Sequence, residues 1–270
     1  MMGIARAAVL AFLLLPALPS FSIIALNGSL GRQYDVAPGK SYEGTIELMN
    51  PEAAPQEVKV YQTDYSFSAD GTVAYGEPGR LQRSNARWIT VSPQHVTIPA
   101  KESVTIRYTI QVPSDETLRG TYWSIIMVEP LAPGSPESSN YDPTKVTMGI
   151  HEVLRYGVQI ETSIGSTGSR NLQFTTVQLK ADNGKRFLVI ELENTGERWL
   201  QPNLWAELYD MKGNYVGRFD GGAHRLYPNT AARFTVELRG VAGSTYKALI
   251  VADCGGDDVF GANISLVLQP

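Results

Sequence analysis

The chain has 270 residues, enough for two domains of roughly 100–130 residues each. Its hydrophobic content of 43% is ample for packed cores and excludes wholesale disorder. The formal net charge is −4, with no run of Lys and Arg and no basic helix, so nucleic acid is not an expected partner.

The chain opens with MMGIARAAVLAFLLLPALPSFS. Arg6 is a lone positive charge, an apolar core follows over residues 7–15, Pro16 and Pro19 break it, and Ser20 and Ser22 are small. This is the layout of a secretory signal peptide over residues 1–22, cut after Ser22. The apolar run is short for a bilayer span, and no later stretch is long enough. The expectation is an exported protein, periplasmic or extracellular, that does not span the membrane. Export permits disulfides, yet Cys254 is the only cysteine. It reads as a small buried residue at a strand end, with an intermolecular disulfide as the alternative.

From residue 23 onward helix signals are almost absent and strand signals recur. In GTIELMN, Ile46 and Leu48 point one way and Thr45 and Glu47 the other. In VTIRYTIQV, residues Val104, Ile106, Tyr108 and Ile110 share a face. A period of two with β-branched and aromatic residues marks strands with one face buried. Tight turns such as Ser68-Ala69-Asp70-Gly71 and Met211-Lys212-Gly213-Asn214 separate them, since Gly71 and Gly213 take positive φ without steric cost. The expected class is all-β, as immunoglobulin-like β-sandwiches without the Cys…Trp…Cys core of antibody domains.

IELMN at 46–50 returns as IELEN at 190–194. VTIPAKESVTIRYTI (96–110) parallels HRLYPNTAARFTVEL (224–238), and GTYWSIIMVEP (120–130) parallels GSTYKALIVAD (243–253). Blocks recurring in one order over such a distance predict two copies of one domain type. The segment LAPGSPESSNYDPTK (131–145) reads as a mobile loop inside the first copy, because GIHEVLRYGVQIETSIG (149–165) must supply that copy's last strand. The domains are therefore 23–165 and 166–270, with the boundary in the small-residue run near 165–168.

The last strand of the first copy places Ile150, Leu154, Tyr156, Val158 and Ile160 on one parity. If it is an uncovered edge, its free N–H and C=O groups suit β-strand addition, and those side chains form the partner-binding set. If it is covered, it merely finishes a sheet. Elsewhere, His95, His151 and His224 stand apart in no metal-binding spacing. No set of residues assigns an acid, a base or a nucleophile, so an enzyme is not expected, nor a cofactor or small-molecule substrate. Asp253, Asp257 and Asp258 in DCGGDD read as a solvated acidic turn rather than a calcium loop. Tyr122, Trp123, Trp205 and Tyr209 read as core, with Trp205 and Tyr209 on one face, and Trp199 as the exposed aromatic.

Two resemblances follow. RWITVSPQHVTIPAKESVTIRYTI (87–110), through Trp88, Ile89, Val91, Pro93, Val104, Ile106 and Arg107, resembles the N-terminal domain of periplasmic pilus-assembly chaperones. The succession of aromatic strand, Pro-rich loop and long alternating strand over 120–160 resembles it as well. The resemblance implies a chaperone that lends an edge strand to the incomplete sandwich of a pilus or surface subunit. It also implies a basic pair in the interdomain cleft that anchors the subunit's terminal carboxylate. The nearest basic residues are Arg32 and Arg155, in surroundings unlike the family's. A second resemblance, carried by VAPGKSYEGTIELMN and ENTGERWLQPNLWAELYD, is to bacterial surface proteins with paired immunoglobulin-like modules. It implies a structural or adhesion module that binds cell wall or a surface protein.

Overall fold

A computed structural model describes residues 24–144 and 153–269. The expected signal peptide lies outside the described residues, as do Ile150 and His151.

The first half is two facing sheets. One runs β1 (Ala25–Asn27), β3 (Ser41–Met49), β8 (Ser103–Gln111), β6 (Ile89–Ser92). The other runs β2 (Gly31–Val36), β10 (Tyr156–Ile164), β9 (Gly120–Pro130), β4 (Gln56–Phe67), β5 (Val73–Gly76), with β7 (His95–Ile98) also paired to β4. Every pairing is antiparallel except β2 with β10. Alternation does the sorting: Ile46, Leu48, Ile106 and Ile110 from one sheet meet Val58, Val60, Ile126 and Val128 from the other, all almost fully buried. The second half repeats the plan. Here β11 (Leu172–Asp182), β12 (Lys185–Asn194) and β15 (Ala231–Glu237) face β14 (Tyr215–Ala223), β13 (Asn203–Asp210), β16 (Ser244–Asp253) and β17 (Val259–Leu268). Its core is built on Leu188, Ile190, Leu204, Leu208, Phe234 and Ile250. The chain is thus all-β, two immunoglobulin-like sandwiches in tandem. The first core draws on residues 24–164 and the second on 172–268.

The repeated IELxN has a physical reason. Asn50 and Asn194 follow the equivalent strands and are fully buried. Asn50 Nδ2 donates to the carbonyls of Ala54 and Ile98 at 2.8 and 3.0 Å, and its Oδ1 accepts from Glu52 N. Asn194 Nδ2 donates to Arg198 and Leu226 at 2.7 and 3.0 Å, and its Oδ1 accepts from Gly196 N. Ile98 and Leu226 occupy the same place in the paired blocks 96–110 and 224–238. So do Glu102 and Thr230, whose carbonyls accept the main-chain N–H of the two asparagines. So do Lys101 and Asn229, with φ of 62° and 60°. One side chain in each domain satisfies the polar groups of a buried crossing that no ladder reaches.

The segment expected to be a loop within the first domain touches the body at several points. Leu131 N donates to Glu57 O, Lys59 pairs with Glu137 at 2.9 Å, and Ser139 hydrogen-bonds Glu57. One correction concerns a face. Trp205 and Tyr209 do share a face, but it is the outward one, because Leu204, Ala206 and Leu208 on the other parity fill the core. Arg218 lies over Trp205 at 3.9 Å, and Glu207 accepts from Trp205 Nε1 and Tyr209 Oη.

Replacing either asparagine with alanine strands several buried carbonyls. Asn50→Ala and Asn194→Ala should each cost about 2–3 kcal/mol of stability, read as a lowered urea midpoint. A loss below about 0.5 kcal/mol in either, the size of an ordinary surface change, would show that the crossing is held by other means.

Candidate functional site at the strand edge and interdomain cleft

Strand β10 serves three neighbours. Val158 and Ile160 are fully buried in the first core, so neither is available to a partner. Tyr156 is half-buried against that core, and Leu154, just ahead of the strand, is 53% exposed. Among the described residues the strand runs from Tyr156, and residues 149–152 of the expected strand lie outside them.

The expected open edge is only partly open. On one side β9 pairs the strand from Tyr156 to Ile164, and on the other β2 pairs it in parallel from Gln159 to Ile164. Over residues 159–164 it is an interior strand. Among the described residues, Tyr156, Gly157 and Val158 are paired on the β9 side alone. The cause lies upstream, where the chain changes sheets: β1 pairs with β3, and after Gly28 at φ 103° the chain crosses to pair with β10 as β2. That crossing leaves the start of β10 without a second neighbour among the described residues.

The two predicted anchor arginines do not meet. Arg32 stands opposite Ile160 in the parallel register, and Arg155 lies five positions earlier. At roughly 3.3 Å per residue that is about 16 Å along the strand. Arg32 Nη1 donates to Ser29 O at 2.6 Å, while Arg155 lies 3.7 Å from Glu129. No shared carboxylate fits between them.

Between the sandwiches is a cleft of about 540 Å³, lined by Tyr65, Phe67, Gln159, Arg225, Tyr227 and Arg233 among others. Residues 197–199 of the second domain form a bracket against the start of β9. Thr121 N donates to Glu197 O at 2.8 Å, Trp199 N donates to Thr121 Oγ1 at 3.1 Å, and Arg83 pairs with Glu197 at 3.2 Å. Arg198 Nη1 donates to the linker carbonyls of Gly165 and Thr167 at 2.6 and 3.0 Å. The approach is close enough to require glycine: a Cβ on Gly120 would fall on the Glu197 carbonyl, and one on Gly168 would lie 2.7 Å from Gly120 Cα. Trp123 stacks on Tyr227 at 4.8 Å, and Phe67 packs edge-on to the same ring. Trp199, expected to be exposed, is half-buried with Arg225 over its ring at 4.3 Å.

The polar centre of this junction is Glu161 on β10, 2% exposed. It accepts from Tyr227 Oη at 3.0 Å and from Arg225 Nη1 at 3.3 Å. The Gln33 amide, with its oxygen toward Arg225, accepts from both Nη atoms at 2.9 and 3.1 Å. Burial raises Glu161 above the usual carboxylate range, against the opposing pull of Tyr227 and Arg225. Burial also raises the Tyr227 hydroxyl, helped by the nearby Glu161 charge. None of Glu161, Glu197, Arg225 or Tyr227 stood out in the sequence. Each lies in a stretch that reads as scaffold: Glu161 in 149–165, Arg225 and Tyr227 in 224–238, and Glu197 in ENTGERW.

The acidic turn pairs Arg170 with Asp258, and Asp253 caps Gly255 N at 2.8 Å. Among the described residues no group of three His, Cys, Asp or Glu is placed to hold a metal ion. Cys254 is half-buried beside the second core; burial, and then Asp258 and Asp253, push its thiol up to about 11. No helix among the described residues is long and apolar enough to cross a membrane.

No protein-family model and no curated protein matches this chain. Many solved structures are similar to it, prominently fimbrial chaperones. A chain from a chaperone–tip adhesin complex of CFA/I fimbriae biogenesis is 13% identical, covering 92% of this chain and 100% of its own, with a TM-score of 0.48. The class 5 fimbriae chaperone CfaA is 13% identical over 92% and 100%, TM-score 0.45. A chain of the Salmonella enterica SafA pilin–SafB chaperone complex is 16% identical over 93% and 99%, TM-score 0.43.

A carboxyl group whose pKa is raised on folding binds its proton more tightly folded than unfolded. Its contribution to stability is therefore full below the unfolded value, about 4.3, and is lost as pH rises through the raised value. Acidification from neutral through that window should tighten the junction as far as Glu161 is concerned. Glu161→Gln should melt at the same or a higher temperature than the parent at neutral pH and lose this part of the pH dependence. A clear fall in its melting temperature at neutral pH would mean that the ion pair with Arg225 outweighs desolvation. Gly120→Ala should lower the melting temperature and widen the interdomain distance distribution in solution scattering; an unchanged profile would show that the bracket does not set the angle.

Proposed function

We propose that this chain is an exported, periplasmic binding protein of chaperone type that holds a pilus or surface subunit by β-strand addition, without a cofactor. The observation that carries the reading is the uncovered stretch of β10. Among the described residues, backbone groups from Tyr156 to Val158 are paired on one side only, and such an edge is a template for another strand. The uncovered stretch continues the line of β2, so an incoming strand has a place ready beside β9's neighbour. Leu154, 53% exposed at its entrance, offers an apolar contact to that strand. The resemblance of residues 87–110 to pilus-assembly chaperones supports the same reading.

The test uses a purified subunit with an incomplete sandwich and three versions of the chain. The parent should capture it, Leu154→Asp should lose about tenfold in affinity, the size of one buried leucine contact reversed to a charge, and Val267→Asp, on the exposed face of the second domain, should behave as the parent. Amides 156–158 should gain hydrogen-exchange protection in the complex. Val158→Asp is unsuitable because it places a charge in the core. Equal capture by all three proteins without protection at 156–158 would refute strand addition, and binding of finished wall polymer instead would favour the adhesion-module reading.

A further inference from the structure

We infer that the open edge of β17, the last strand of the second domain, is a self-association surface. It pairs antiparallel with β17 of a second copy of this chain about a two-fold axis at Asn263, joining the two four-stranded sheets into one continuous sheet. The pairing involves no residue of β10 and does not draw on the strand-addition reading.

Sheet edges are normally guarded by charge, proline or a bulge, because their unpaired N–H and C=O groups invite another strand. Three of the second domain's four outer strands follow that rule. β14 carries Arg218 and Asp220 and two register shifts against β13. β11 carries Lys180 and Asp182 and one shift against β12. β15 carries Arg233 and Glu237. By contrast β17 reads VFGANISLVL, ten residues with no charge, no proline and no break in its register with β16. Among the described residues no strand pairs with its other side. Alternation shows which groups are free. Cys254 N donates to Asp258 O at 2.9 Å, one step before the Asp253–Val259 pair. Hydrogen-bonded and non-bonded pairs alternate along an antiparallel ladder. The even-numbered residues of β17 therefore bond to β16, and Val259, Gly261, Asn263, Ser265 and Val267 turn their main-chain groups to the open side. Val259 N, turned from β16, bonds Asp257 O instead.

The order of the strand selects its own copy as the partner. Residues 259–267, VFGANISLV, match themselves in size and polarity when read in reverse. On the outer row, Val259 meets Val267 of the second copy, Gly261 meets Ser265, and Asn263 meets Asn263, where each amide gives an N–H to the other's oxygen. The two valines are 54% and 60% exposed without such a neighbour. On the inner row, Phe260 meets Leu266 and Ala262 meets Ile264. Phe260 and Ile264 are only partly buried at the rim of the second core, and the added strand covers them. In this register every residue with free main-chain groups falls opposite another with free groups; a slip of one residue sets free groups against spent ones. A neutral strand laid on itself brings no like charges together, and an isologous contact closes on itself, so association stops at two copies.

The test is analytical ultracentrifugation of the full chain over about a hundredfold range of concentration, with Asn263→Lys, Asn263→Glu and an equimolar mixture of the two variants. Asn263 is exposed, so neither charge enters the core. One added strand buries less than a standard interface, so the parent should form a weak dimer whose share rises with concentration. Each variant alone should dimerise about tenfold more weakly, because like charges meet on the axis, and the mixture should recover the dimer as a Lys–Glu pair. In the parent, the amides of Gly261, Asn263 and Ser265 should exchange more slowly at high concentration, while those of Ala262 and Ile264 stay unchanged. A parent that remains a single copy throughout would overturn the inference. So would a dimer indifferent to both charges, or a mixture as dissociated as its components. None of these outcomes bears on capture of a subunit at β10.

Discussion

The geometry of the molecule depends on one close approach, the hydrogen bond from Thr121 N to the Glu197 carbonyl. It joins the first residues of a core strand in one sandwich to a turn in the other, main chain to main chain. Two bare positions make it possible, because side chains on Gly120 or Gly168 would occupy the space it needs. Once it forms, Trp123 is brought over Tyr227, Arg83 reaches Glu197, and Arg225 closes over Trp199 onto Glu161. The cleft is what remains between these contacts. Its shape is a property of backbone contact, which has fewer degrees of freedom than a contact between long side chains.

Duplication accounts for the rest of the frame. An asparagine, a left-handed turn residue and carbonyl acceptors recur at equivalent places in both sandwiches, so the crossing they brace is solved the same way twice. The domains differ where each meets something else. In the first, the crossing from β1 to β2 covers part of β10 and leaves three of the described residues without a second neighbour. In the second, β17 follows β16 with ten paired positions and an exposed outer row that includes Val259 and Val267. One fold thus yields a shortened cover in one copy and a plain sheet edge in the other.

The sequence spoke clearly wherever a strand alternates cleanly. Ile46 and Leu48, or Ile106 and Ile110, have polar neighbours on both sides, so the buried face is unambiguous. It was silent where both parities are apolar. Trp205 and Tyr209 alternate with Leu204, Ala206 and Leu208, and only packing decides that the aromatics face outward. Coverage of an edge was equally hidden, because whether β10 has a second neighbour depends on a crossing more than a hundred residues earlier. The site at the junction was hidden for the same reason: Glu161 meets Arg225 and Tyr227 across separations of 64 and 66 residues. No local pattern announces such a pairing. The expected pair Arg32 and Arg155 failed through register, since five positions along one strand separate what a single carboxylate would have to bridge.

Strand β10 ties these features into one device. Its inward residues, Val158 and Ile160, anchor it in the first core. Of its outward residues, Gln159 lines the cleft and Glu161 is held by Arg225 and Tyr227 of the second domain. Among the described residues its main chain lacks a second neighbour at Tyr156–Val158. A strand added there would run up against β2, which pairs β10 from Gln159 onward, so the crossing from β1 to β2 sets how far the added strand can run. A buried ion pair is weak evidence for stability, since its desolvation offsets its attraction. Its value at this position lies in where it sits, joining β10 of one domain to Arg225 and Tyr227 of the other.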